Sequence, residues 1–104
     1  MEERAIHWSS FHDAVLVSLT ATWRSGDVRI HLQLCEQPSR HVVVVGREVS
    51  LLHCPREHPW GESVHVNLID PPAPTPAGRL RLNIEMQTGD RIEVEAASFM
   101  IANE

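Results

Sequence analysis

Apolar and polar residues alternate with a period of two through much of this chain. In Asp27 to Glu36, DVRIHLQLCE, Val28, Ile30, Leu32 and Leu34 fall on one face and Arg29, His31, Gln33 and Cys35 on the other. Arg79 to Gln87, RLRLNIEMQ, sorts Leu80, Leu82, Ile84 and Met86 from Arg81, Asn83 and Glu85. Arg91 to Ala96, RIEVEA, sets Ile92, Val94 and Ala96 against Glu93 and Glu95. A helix would scatter such residues around its axis, whereas a strand points successive side chains to opposite faces. Three further segments read as strands with less contrast. Ala14 to Trp23 would place Val15, Val17, Leu19 and Trp23 on one face. His41 to Val45 is a β-branched run expected to be buried on both sides. Ser63 to Ile69 sets Val64, Val66 and Leu68 opposite His65 and Asn67.

The punctuation agrees with strands. A two-residue Ser25-Gly26 loop would pair Arg24 with Asp27 and Trp23 with Val28, aligning both apolar faces. The turn in QTGDR is less regular. A Thr88-Gly89 loop would set Met86 against Arg91 and mix the faces. Centring the turn on Gly89 pairs Met86 with Ile92 but sets Glu85 opposite Glu93, to be relieved by an Arg or a shared proton. A loop of three to five residues with a bulge is therefore expected. Residues 70–78, DPPAPTPAG, contain four prolines and read as an extended surface crossover, since proline lacks the backbone donor. Helix is scarce: Arg47 to His53 and the residues before Trp8 are the short candidates. The tail AASFMIANE extends the last strand or forms a short helix.

These elements predict an all-β, or β-dominated α+β, domain. About six antiparallel strands would form a sandwich or one sheet rolled on itself, with little helix. A homodimer pairing two sheets is the other way to cover the one-sided apolar faces. The length of 104 residues corresponds to a single domain, 1–104.

Charge narrows the partners. The formal net charge is −5 and the nine basic residues, all Arg, are scattered singly. That excludes the basic patch a phosphate backbone needs, so neither nucleic acid nor an anionic membrane surface is expected as a partner. The N-terminal MEERAIHW has no apolar core of a secretory signal, and no apolar run approaches a membrane span. A cytoplasmic protein with reduced Cys35 and Cys54 is expected.

Candidate chemistry is sparse. His53, Cys54, His58 and His65 are the densest metal-ligating group, but no CxxC or HxH pair anchors a tetrahedral site. No GxSxG elbow accompanies the serines. Glu85, Glu93 and Glu95 project from one strand face and offer an acidic surface. Trp60, between Pro59 and Gly61, is an aromatic anchor on a bend. In Phe11-His12-Asp13, the alternation that starts at Val15 puts Asp13 and His12 on opposite sides. Phe11 would then plug the core and Asp13 would accept backbone N–H groups at the strand entry.

WSSFHDA (Trp8 to Ala14), PWGES (Pro59 to Ser63) and IEMQTGDRIEVEA (Ile84 to Ala96) together resemble a group of small bacterial proteins. Some similar sequences are described as immunity proteins of polymorphic toxin systems, which bind and block a cognate toxin. The resemblance implies a β-rich, non-enzymatic domain that binds another protein, and it supplies no catalytic residues. The expected contact surface is Phe11, His12, Asp13, Trp60, Glu85, Glu93 and Glu95, with no cofactor. The alternative is a small-ligand or metal-binding β-domain built on the His53–His65 group.

Overall fold

The computed structural model describes residues 7–35, 40–59, 61–62 and 64–103, so Trp60 and Ser63 lie outside the described residues. The domain is all-β, formed by two antiparallel sheets packed face to face. A 3-10 turn, Trp8–Phe11, precedes nine strands among the described residues: β1 Val15–Thr22, β2 Asp27–Leu34, β3 Arg40–Arg47, β4 Leu51–His53, β5 Val66–Ile69, β6 Ala73–Pro74, β7 Leu80–Met86, β8 Arg91–Ala96 and β9 Ser98–Asn103. The first sheet has the order β1-β2-β3-β9 and the second β4-β8-β7-β5, with β6 also paired to β7. Among the described residues no helix is long and apolar enough to cross a membrane.

The period-two segments build the core. Val28, Ile30, Leu32 and Leu34 of β2 face Leu82, Ile84 and Met86 of β7 and Ile92 and Val94 of β8 within one buried cluster. Each such side chain contributes about 1.5–3 kcal/mol on leaving water. Val42 to Val45 of β3 are all buried, as a β-branched run with no polar alternation should be. The inner apolar faces of both sheets are thus covered within the chain.

Three expectations change, and they share a cause. In β1 the ladder shifts between Leu16 and Ser18, leaving Val17 as an extra residue. Leu16 and Leu19, three apart, both pack on the core, while Val17 is 55% exposed. The face expected to hold Val15, Val17, Leu19 and Trp23 therefore does not exist. In β5 a second shift between Val66 and Leu68 turns Leu68 outward and gives its core position to Ile69. The third case is Arg47 to His53, expected as a helix. Glu48 takes a left-handed backbone (φ 53), and Leu51 to His53 pair with Glu95 to Glu93 as β4. Val49 and Leu52, again three apart, pack on the core and mimic a helical face. A bulge inserts one residue and reverses the inward–outward parity beyond it, so a three-residue spacing can belong to a strand.

The bend at Glu48 also joins the sheets. β3 and β9 pair as far as Arg47 and Ser98, and β4 and β8 resume at Leu51 and Glu95. Both strands of this ribbon pass from one sheet to the other at the same corner, with one more residue on the β3–β4 side. Ala97 N–H donates to Arg47 O (2.9 Å) and Ser50 N–H to Glu95 O (2.8 Å) across it. Sheet corners are commonly made this way. The tail extends the pattern as β9, now in the first sheet. At the other side, a bridge between Val15 and His65 links β1 to the chain entering β5.

Gly46 sits under this corner. A Cβ there would lie 2.9 Å from Phe99 Cε1. Gly46→Ala is expected to push the Phe99 ring aside and cost about 1–3 kcal/mol, as overpacking does, read as a lowered urea midpoint at unchanged slope.

The turns correct the expected registers. β1 and β2 close with Thr22 opposite Asp27 and Ala21 opposite Val28. The loop is four residues, Trp23 to Gly26, sealed by Gly26 N–H to Thr22 O (2.9 Å). Asp27 then meets Arg47 (3.3 Å) instead of Arg24. In the second hairpin Glu85 pairs with Arg91 and Ile84 with Ile92 around a three-residue loop. The expected clash of Glu85 with Glu93 does not arise, because Arg91 stands opposite Glu85. The proline-rich crossover folds back as β6 on the edge of β7, where proline is tolerated.

Candidate functional site

Phe11, His12 and Asp13 form a structural lock. Phe11 is fully buried, as expected of a core plug, and so is withdrawn from the contact surface. His12 Nδ1–H donates to Asn67 O at 2.7 Å, the tautomer following from a carbonyl that can only accept. Asp13 has a left-handed backbone (φ 65), which Asp tolerates better than most residues. That break in the extended chain brings the two side chains to one side: His12 Nε2 lies 3.5 Å from Asp13 Oδ2. The expectation that they point apart is overturned. Asp13 N–H donates to Val66 O (2.8 Å), and its carboxylate accepts from the Gln87 side-chain amide. The motif thereby ties the 3-10 turn to the bulge of β5 and to the β7–β8 turn.

Glu85, Glu93 and Glu95 do share the outer face of the second sheet, but they are matched there. Glu85 accepts from Arg91 (3.1 Å) and from Asn67 (2.8 Å). Glu95 accepts from Arg81 (3.0 Å), and Glu93 lies 3.8 Å from His53. The face is laced with cross-strand pairs, each expected to be worth well under 1 kcal/mol.

The histidine-rich segment does not converge. Among the described residues no group of three or more His, Cys, Asp or Glu side chains is placed to hold a metal ion. His53 leans on Glu93, His58 Nδ1 approaches Gly61 O (3.2 Å), and His65 belongs to the bridge with Val15. Both cysteines are free. Burial pushes the Cys54 thiol up, with Arg56 opposing and Asp90 adding to the shift. A raised thiol pKa leaves little thiolate at neutral pH, the opposite of an activated nucleophile.

Two important residues escaped the sequence reading. Asp90 is buried, and its carboxylate accepts the backbone N–H groups of Glu57 (3.0 Å) and His58 (3.1 Å). It pins the loop that leads to Pro59. Its place after Gly89 marked it only as a turn residue. The other is Trp23, at 99% exposure the most exposed large apolar side chain described. It flanks a cavity of about 230 Å³ lined also by Ala21, Val28, Val49, Leu51 and Leu52. Leu51 belongs to β4, an edge strand of the second sheet. A four-residue loop in place of a two-residue one moves Trp23 from the ladder to the turn, and nothing local in TWRSGD decides between them. Comparison with models of known families, with curated proteins and with solved structures finds no match.

Proposed function

We propose that this chain is a non-catalytic protein-binding domain, of the kind that neutralises a toxin by covering it. The observation that carries the reading is Trp23, almost fully exposed beside an apolar cavity at a sheet edge. An aromatic ring exposed together with adjoining apolar surface, as Trp23 is beside Ala21, Leu51 and Leu52, suits a contact that a partner covers, and tryptophan is enriched among residues that dominate interfaces. The cavity of about 230 Å³ is smaller than the ~300–1,000 Å³ typical of small-molecule pockets. A contact face for a protein suits it better than an enclosed ligand site. The edge strand β4 beside it offers backbone groups to an extended segment of the partner.

The test uses the product of the neighbouring reading frame, expressed with and without this chain. Neutralisation of its toxicity is expected, and Trp23→Ala should weaken binding about 30-fold or more, the effect of losing an interface anchor worth 2 kcal/mol. The same variant should leave thermal stability within about 0.5 kcal/mol, because an exposed side chain contributes little to folding. Full neutralisation by Trp23→Ala would remove Trp23 from the interface, and no neutralisation by the natural chain would sink the reading.

A further inference from the structure

A second concavity, at the opposite edge of the second sheet from β4, lies between the 3-10 turn and the link from β5 to β6. It is a cleft of about 370 Å³ lined by His7, Trp8, Ser9, Leu68, Ile69, Asp70 and Pro71. Its walls follow from features already described. The bulge at Asn67 turns Leu68 out of the core, so that it is 44% exposed and forms one wall. Trp8 forms another, its ring held 5.8 Å from that of buried Phe11 at a tilt of 47°. The only carboxylate in the lining is Asp70. Its backbone N–H is spent on Asn83 O (3.2 Å), and among the described residues no Arg forms an ion pair with its carboxylate. This contrasts with Asp27, Glu85 and Glu95, each of which meets an Arg.

We propose that this cleft receives an arginine side chain of a partner protein. A cleft lined by the Trp8 indole, Leu68, Ile69 and Pro71, together with His7, Ser9 and one carboxylate, suits a cation carried on an apolar stem. The guanidinium group stacks on aromatic faces and forks onto carboxylates, while its methylenes lie along apolar walls. The net charge of −5 favours approach of such a group. The volume, at the low end of the range for ligand sites, suits one side chain. The proposal rests on the protein-binding reading only for the source of the arginine; cation selectivity of the cleft is tested by itself.

The probe is N-acetyl-argininamide, titrated into the full chain labelled with ¹⁵N and methyl ¹³C. A saturable shift of the Trp8 indole N–H and the Leu68 methyls is expected at about millimolar concentration. The citrulline analogue, equal in shape and uncharged, should give no saturable shift. Asp70→Asn should weaken arginine binding about tenfold, the loss of a charge-assisted hydrogen bond, while leaving the rest of the spectrum in place. Trp8→Leu should weaken it as well, by removing the ring face. Equal shifts from citrulline, undiminished binding by Asp70→Asn, or no shift at all would overturn the proposal. Failure here with toxin neutralisation intact would leave the Trp23 surface standing, so the two readings fail separately.

Discussion

Phe11→Ala is expected to lower the stability of the domain by about 3–5 kcal/mol, the usual cost of truncating a fully buried phenylalanine. Phe11 is wholly excluded from solvent, belongs to the core cluster, and supports the Trp8 ring. Removing its ring leaves a cavity at one end of the sandwich that the bulged β5 and the 3-10 turn cannot close without losing their own hydrogen bonds. Against a total of about 5–15 kcal/mol for a domain of this size, that leaves a marginal protein. His12→Ala, by contrast, removes one exposed hydrogen bond to Asn67 O and should cost about 1 kcal/mol. Urea unfolding of both variants reads the difference directly. A cost at Phe11 no larger than that at His12 would mean that the motif is not a core plug.

The second large effect belongs to Asp90. Asp90→Ala removes a buried acceptor from two backbone N–H groups, those of Glu57 and His58. Hydrogen bonds to a charged group are worth about 1.5–3 kcal/mol each, so the expected loss is about 3 kcal/mol or more. Part of that loss is local. The loop leading to Pro59 should open first, and amide exchange at Glu57 and His58 should accelerate more than exchange in β7 and β8. Asp90→Asn keeps one carbonyl oxygen and should recover roughly half of the loss. Unchanged exchange at Glu57 and His58 in Asp90→Ala would show that the loop is held by something else.

The candidate sites were legible to very different degrees. Glu85, Glu93 and Glu95 were readable as one face because β7 and β8 keep strict alternation through RLNIEM and RIEVEA. Their neutralisation was not, because the partner of Glu85 depends on whether the intervening loop has two, three or more residues. His12 and Asp13 were placed on opposite sides by extending the alternation backwards from Val15. The left-handed backbone at Asp13 breaks that rule one residue before the strand begins. Trp23 was lost to the core by the same kind of step, a register carried through a turn whose length was wrong by two residues.

What the sequence by itself determined is the all-β class, the inner faces of β2, β7 and β8, and the burial of the apolar run in β3. In β2, β7 and β8 each residue's polarity agrees with its neighbours' at a spacing of two, and burying apolar surface is the dominant favourable term whatever the rest of the chain does. Only the tertiary structure decided the bulges at Val17 and Asn67 and the bend at Glu48. A bulge costs little locally and is chosen because two twisted sheets must curve and share a corner. Those three positions set which way Val17 and Leu68 point and where β4 begins. They therefore shape the walls of the Trp23 groove and the Trp8 cleft, where the proposed contacts lie.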